Sequence, residues 1–173
     1  MNDSLITKKF DASLQKLALN FHSGNDVIDQ YLRSFDSLNP SYGTTYVWLS
    51  DDENRIIGYY NFTMSSVCGD DNTFGAVYIN YFAIDVDFRE WGTTIPDTQN
   101  KVRASDMLFW DCMDRLSEIR DNVIGFTFIV LNATDEGLHL YERNGFNRFD
   151  GDITCPSITP GGTPLNYNFA LEE

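Results

Sequence analysis

The chain has 173 residues, 42% of them hydrophobic, and twelve Lys and Arg against twenty-six Asp and Glu give it a net charge of −14. That length supports one domain with one core, and no apolar run approaches the roughly eighteen residues that a membrane-spanning helix needs. An acidic surface of this size repels phosphate backbones, whose binding depends on neutralising cations; it argues against a nucleic-acid partner and for a cationic one, such as an amine substrate or a basic protein.

Leu5–Phe10 reads as a first strand. Ala12–Phe21 is amphipathic, and Asp26–Phe35 places Val27, Ile28, Tyr31, Leu32 and Phe35 at helical spacing. Tyr46–Ser50 and Arg55–Ser66 are β-rich runs separated by the turn chemistry of Asp51-Asp-Glu-Asn54. Ala76–Asp87 is another strand, with Val77, Ile79 and Tyr81 alternating against Tyr78, Asn80 and Phe82. Trp91–Asn100 reads as a loop holding Gly92 and Pro96.

Val102–Arg120 is a long helix whose apolar face includes Met107, Leu108, Trp110, Met113, Leu116 and Ile119. Phe126–Leu131 is too short and too rich in Phe, Ile and Val for a helix, and reads as a strand covered on both faces. Thr134 is a suitable N-cap for a two-turn helix carrying Leu138, Leu140 and Tyr141, and Gly145 can take the left-handed position at its end. A polar loop from Gly151 to Pro164 leads to a last strand, Leu165–Leu171, with Leu165, Tyr167 and Phe169 inward. The order β-α-α-β-β-β-α-β-α-β-β predicts a mixed α/β sandwich. Cys68, Cys112 and Cys155 are odd in number and have no nearby His ligands, which argues against both a disulfide framework and a metal site. With no apolar signal core in the first nine residues, a cytoplasmic location is expected.

Four of these segments carry a family resemblance. Ile129–Phe146, as strand, short helix with one tyrosine and Gly-Phe exit, resembles the C-terminal signature of the GNAT acyl-CoA-dependent N-acetyltransferases. Phe21-His-Ser-Gly24 followed by Ile28-Asp-Gln-Tyr-Leu32 looks like the first-helices segment of the toxin-type GNAT subgroup. Thr45-Tyr-Val47 with Ile56-Ile-Gly-Tyr-Tyr60 is similar to that subgroup's hairpin, and Ile79–Asp85 occupies the place of its Leu-Ala-Val-Asp strand. The resemblance covers roughly residues 20–148. It implies one GNAT-like domain over 1–173: a mixed, mostly antiparallel central sheet with a splayed parallel strand pair, and helices on both faces.

The resemblance also implies a chemistry. Acetyl-CoA is the expected co-substrate, with the backbone of Phe82, Ala83 and Ile84 and the side chain of Asn132 meeting its pantetheine. Its pyrophosphate would meet a Gln/Arg-x-x-Gly-x-Gly/Ala turn at a helix N-terminus, where backbone N–H groups and the helix dipole favour an anion. Two registers compete for that turn. Arg89-Glu-Trp-Gly92-Thr-Thr94 keeps the Arg and the first Gly, whereas Gln99-Asn-Lys-Val102-Arg-Ala104-Ser105 keeps the Gln and Ala but has Val102 where Gly is usual. An insertion of about ten residues reconciles them and brings the phosphates to Lys101, Val102, Arg103, Ala104 and Ser105.

Acetyl transfer requires a neutral amine, an oxyanion stabiliser and a proton for the departing thiolate. Tyr141 stands where the family places the proton donor; without the family it reads as a core tyrosine. Asn80 lies where a Glu base is common and would relay a proton through water. Asp85 reads as structural, and His22 and His139 as incidental. The expected acceptor is a primary amine of a small cationic or peptidic molecule. The subgroup offers an alternative, a toxin that acetylates aminoacyl-tRNA and pairs with an antitoxin, against which the charge argues. The missing glycines suggest another, a GNAT-fold binding domain without turnover. Nine Tyr, thirteen Phe and three Trp leave room for a homodimer face.

Overall fold

In the computed structural model, which describes residues 7–69, 71–94, 101–149, 152–153 and 162–169, the chain begins with strand β1 (Lys8–Lys9) and the four-residue helix α1 (Gln15–Ala18). Helix α1 is shorter than the amphipathic run Ala12–Phe21 suggested. Its N-cap is Leu14, which offers no side-chain acceptor to the first N–H groups. Helix α2 (Asp26–Arg33) has what α1 lacks: the Asn25 side chain accepts from the N–H groups of Val27 and Ile28, and Asp26 and Asp29 lie in the first turn. It stops at Ser34, whose extended backbone and side chain cap a 3-10 turn instead. Phe35, expected on the helix's buried face, is therefore 79% exposed.

Strands β2 (Thr44–Leu49) and β3 (Ile56–Cys68) flank the expected turn, and β4 (Thr73–Ile84) returns beside β3. The stretch expected to be a loop after Trp91 holds two short strands, β5 (Gly92–Thr94) and β6 (Lys101–Arg103), paired antiparallel with Thr93 opposite Val102. Gly92 is required there, since a Cβ would stand 2.2 Å from the Val102 carbonyl oxygen. Helix α3 (Ala104–Asn122) follows at once, close to the expected Val102–Arg120. Strand β7 (Phe128–Ala133), helix α4 (Leu138–Arg143) and strands β8 (Asn147–Arg148), β9 (Asp152–Ile153) and β10 (Thr163–Asn168) complete the described elements. None of the helices among the described residues is long and apolar enough to cross a membrane.

The chain divides into two compact units, Met1–Asn61 with Tyr81–Ser117, and Phe62–Asn80 with Glu118–Glu173. In the first, the strand order is β1-β2-β3-β4, and Phe21, Tyr31, Leu32, Val47, Ile56 and Tyr59 pack a core beneath α1 and α2. A buried polar network adds long-range ties. The carboxylate of Asp111 accepts from the Thr7 hydroxyl (2.7 Å) and the Tyr60 hydroxyl (2.6 Å), while Arg115 donates to Tyr60 (2.8 Å) and Thr7 (3.0 Å) and lies over the Tyr46 ring. In the second unit the order is β3-β4-β7-β10-β8, with β9 on β3. Strand β7 is covered as expected: Ile129, Val130 and Leu131 are all buried. Leu165 in β10 and Phe169 beyond it are buried, and Tyr167 is half-buried. The remainder of the expected last strand and most of the polar loop lie outside the described residues.

Strand β4 does not keep one alternation. Ala76 and Tyr78 pack with Val67 of β3, and Asn80 bonds Thr63. The next contacts on that β3 face are made by odd-numbered residues, Tyr81 and Ala83, both packed with Tyr59. Because Tyr59, Thr63 and Val67 share a face by the period of two, β4 has one extra residue at Asn80–Tyr81, a β-bulge. The parallel pairing of β4 with β7 runs from Ala76 opposite Phe128 to Ile79 opposite Leu131, and β4 continues five residues beyond that last pair.

Candidate functional site

The expected site residues divide between the two units, each with its own geometry. In the first unit, Phe82, Ala83 and Ile84 form the tail of β4. Ala83 and Ile84 are buried, and Phe82 sets its ring edge-on to Phe109 of α3 at 6.0 Å. The strand is locked to β3 at its end by the Asp85 N–H donating to Ile57 O at 2.8 Å. Tyr81, just before this tail, stacks on Tyr31 with ring centroids 3.9 Å apart, and Tyr31 in turn faces Tyr59. Burial raises the Tyr81 phenol and pushes that of Tyr31 up to about 12, so both are neutral hydroxyls at ordinary pH.

Asp85 fastens the loop that follows. Its buried carboxylate accepts from the N–H groups of His22 and Asp87, both at 3.0 Å, and from the Arg55 guanidinium at 3.4 Å. His22, expected to be incidental, is held at Nδ1 by the buried carboxylate of Asp29, 2.9 Å away, which also accepts from Ser23. Arg89 donates to the Ser23 carbonyl, so the first of the two competing registers has its arginine engaged within the unit.

The second register is equally engaged. Lys101, Val102 and Arg103 form β6, not a phosphate-binding turn. Lys101 donates to the Glu90 carbonyl at 2.8 Å, and the Val102 side chain is buried in the ribbon's footing. Ala104 and Ser105 open α3; the Ala104 N–H donates to the Trp91 carbonyl at 2.9 Å, and the Arg103 N–H to the Asp106 carboxylate at 3.1 Å. Phe82, Ala83 and Ile84, the residues expected at the pantetheine, thus lie on a strand tail that runs beyond the parallel pairing with β7. Of the amides expected to receive the pyrophosphate, those of Arg103 and Ala104 already have acceptors. Sequence reasoning missed both the ribbon and the Asp106 bond; the one legible sign was a carboxylate three residues into the helix from Arg103, half of a capping box.

In the second unit, Asn132 near the end of β7 donates to the Tyr78 hydroxyl at 3.1 Å, and Asn80 exchanges hydrogen bonds with Thr63 at 3.3 and 3.4 Å. Tyr141 lies on α4 and is buried, its ring against Phe146 at 5.8 Å and close to Gly137, where a Cβ would come within 3.3 Å of Cε2. Thr134 does not cap α4 itself. It accepts the Gly137 N–H at its hydroxyl oxygen (3.2 Å) and the Leu138 N–H at its carbonyl (3.0 Å), holding a lead-in turn before the helix. Gly145 takes the expected left-handed conformation, with φ +88°. The Tyr141 carbonyl accepts from both Asn144 and Phe146, so the helix carrying the phenol is fixed at both ends. His139 is exposed and lies 4.0 Å from Glu142.

The mixed sheet, its parallel strand pair, the bulged β4 and the short tyrosine helix before a Gly-Phe exit together define the GNAT fold. No family profile matches the chain, and no curated protein matches its sequence. Solved structures do match over nearly its whole length. A tyrosine-to-phenylalanine mutant of the toxin AtaT, bound to the C-terminus of the antitoxin AtaR and acetyl-CoA, has 16% identity and a TM-score of 0.69 over 98% of this chain and 96% of its own. AtaT complexed with acetyl-methionyl-tRNAfMet has 12% identity and a TM-score of 0.71 over 96% of each chain. The KacTA–DNA complex has 18% identity and a TM-score of 0.69 over 96% of this chain and 94% of its own. These likenesses overturn the partner expected from charge. Proteins of this fold are found with an antitoxin, DNA and tRNA, so net charge gives no ground for excluding a nucleic acid, and nothing supports a small amine as acceptor. The net charge sums over a whole surface, whereas a macromolecule meets one face of it.

Proposed function

We propose that this chain is an acetyl-CoA-dependent N-acetyltransferase of the toxin type, acting as one domain over 1–173 in the cytosol, and that its acceptor is the α-amino group of an aminoacyl-tRNA. The observation that carries the reading is the tail of β4: beyond the last parallel pair, Ile79 with Leu131, the strand continues to Ile84 past a bulge, leaving backbone groups for an extended pantetheine. The likeness to AtaT in complexes with acetyl-CoA and with acetyl-methionyl-tRNA supports the donor and the acceptor class.

In this reading the acceptor nitrogen attacks the thioester carbonyl, the C–S bond breaks, the phenol of Tyr141 gives its proton to the departing thiolate, and the proton lost by the nitrogen passes to water held by Asn80 and from solvent back to the Tyr141 phenolate. An aminoacyl ester suits a site where Asn80, which is no base, can only hold a relaying water. Ester activation lowers the α-amino pKa below that of an alkyl ammonium, so less proton removal is asked of the protein.

The test is release of free CoA thiol from acetyl-CoA with a panel of aminoacylated tRNAs, uncharged tRNA and free amino acids. Turnover is expected with some aminoacylated tRNAs and none with uncharged tRNA. The Tyr141→Phe variant is expected to lower kcat at least about a hundredfold with acetyl-CoA affinity nearly unchanged. Equal turnover by the variant would remove Tyr141 as the acid, and absence of turnover with every charged tRNA would overturn the acceptor.

A further inference from the structure

Tyr81, at the start of the strand tail, has a ring stacked on one side only. Tyr31 of α2 lies against one face, with centroids 3.9 Å and planes 17° apart. Tyr59 is almost equidistant from the two rings, 6.4 Å from Tyr81 and 6.5 Å from Tyr31, so it flanks the edge of the pair and covers neither outer face. Tyr31 is buried and held from behind, its hydroxyl 3.4 Å from the Tyr42 carbonyl and 3.5 Å from the Thr45 hydroxyl. Tyr81 is only half-buried; among the described residues its hydroxyl has no hydrogen-bond partner and no third ring meets it. The pair is a rigid aromatic step whose outer face no ring among the described residues occupies.

We propose that Tyr81 is the stacking platform for the unpaired terminal base of the aminoacyl-tRNA, the base of the nucleotide that carries the ester. The proposal rests on the acceptor reading above. In that reading pantetheine follows Phe82–Ile84 with its phosphates beyond Ile84, so the thioester lies towards the Tyr81 end of the tail, and one ribose separates the reacting ester from its base. Charge favours a base over a phosphate here. The Asp36 carboxylate is close enough to add to burial in raising the phenols of both Tyr81 and Tyr31; it would repel a phosphate, whereas a base is neutral. Arg55, Arg89, Lys101 and Arg115 are engaged within the same unit, by Asp87, the Ser23 and Glu90 carbonyls and the Tyr60 hydroxyl. Stacking on an aromatic side chain holds an unpaired base without a cation at the same point.

Tyr81→Leu removes the ring, and Tyr81→Phe keeps the ring without its hydroxyl. Steady-state acetylation by the full chain and by both variants is measured with a charged tRNA and with the same charged tRNA made abasic at its terminal nucleotide, beside calorimetric titration with acetyl-CoA. In the parent, loss of the base is expected to raise KM roughly five- to 150-fold, the range of base–aromatic stacking. Tyr81→Leu should raise KM for the intact substrate by a similar factor, add no further loss on the abasic one, and leave acetyl-CoA affinity within about twofold of the parent. Tyr81→Phe should keep KM within about threefold of the parent, because the π face is retained. No loss on removing the base, losses that add when ring and base are both absent, or an equal fall in acetyl-CoA affinity would each overturn the platform and leave the acceptor reading standing. If Tyr81→Leu unfolds by circular dichroism, Tyr81→Trp carries the test: its larger face should lower KM for the intact substrate alone, and a KM changed equally for both substrates, or for neither, would overturn the platform. Absence of turnover by the parent with every charged tRNA would remove the acceptor reading itself, and the platform with it.

Discussion

Gly58 lies in the middle of β3 where a side chain has no room, and Gly58→Ala measures how tightly the first unit is closed around the tail of β4. A Cβ at this position would stand 2.6 Å from Ile84 Cδ1, 2.8 Å from the Ala83 carbonyl oxygen and 2.9 Å from Leu108 Cδ2. Ile84 and Leu108 are both buried, so neither side chain can swing into solvent, and the third contact is main chain. Overpacking a closed core costs about 1–3 kcal/mol, and three clashes at once, one with backbone, put this variant near the upper figure. For a chain of this size each kcal/mol shifts Tm by roughly 2–4 °C, so a fall of about 6–12 °C is expected. Because the displaced backbone is that of Ala83, acetyl-CoA affinity should fall with stability. Urea unfolding with an unchanged m-value, read beside calorimetric titration of acetyl-CoA, separates lost stability from a changed unfolded state. A variant within about 0.5 kcal/mol of the parent would refute the reasoning, because it would mean that the strand tail retreats at no cost.

Tyr60→Phe removes the hydroxyl that donates to Asp111 and accepts from Arg115. It leaves a largely buried carboxylate short of one donor, so a loss of about 1–3 kcal/mol is expected in denaturant titration, and a loss below about 0.5 kcal/mol would show that the network is not a stabilising one. Burial raises the thiol of Cys112 and the phenols of Tyr31, Tyr59 and Tyr60 above their ordinary values, so the folded chain holds these protons more tightly than the unfolded one. Stability should be level up to about pH 9 and then fall as pH rises towards 12. Phenolate absorbance should appear together with unfolding; full ionisation of the tyrosines in a still-folded chain would contradict it. Among the described residues the side chains of Lys9, Lys16 and Arg103 have no internal hydrogen-bond or ion-pair partner, while Lys8 pairs with Glu53 and Arg55 with Asp85 and Asp87. Binding of tRNA should therefore depend only weakly on salt, with a log–log slope no steeper than roughly −3; a slope near −6 would show that the paired cations exchange their partners for phosphates.

The second half of the chain was the more legible in sequence. Strand β7, the tyrosine helix and Gly145 rest on local signals: a short apolar β-branched run, a threonine lead-in and a left-handed exit. Helix α2 was legible for the same reason, since Asn25 and two early acids mark its start. What escaped was either too short or too distant. Strands β5 and β6 have three residues each, which is too few for an alternation to rise above chance, and their pairing joins two ends of a segment that composition alone marks as loop. The bond from Thr7 to Asp111 spans a sequence separation of 104, for which a single sequence offers no sign. Asp106 was visible as an acid in a first turn, but not as the acceptor of the Arg103 N–H. The acceptor was misjudged by treating a summed charge as though it were a local one.

The extra residue at Asn80–Tyr81 makes the register of β4 sensitive to a change of one residue in length. Deleting one residue there would return β4 to a single alternation, let its pairing continue past Ile79, and yield an unbroken sheet with no backbone left for a ligand. Inserting one residue into such a sheet would do the reverse. One residue gained or lost at this point is thus the difference between a strand that keeps one face throughout and one whose two halves present opposite faces.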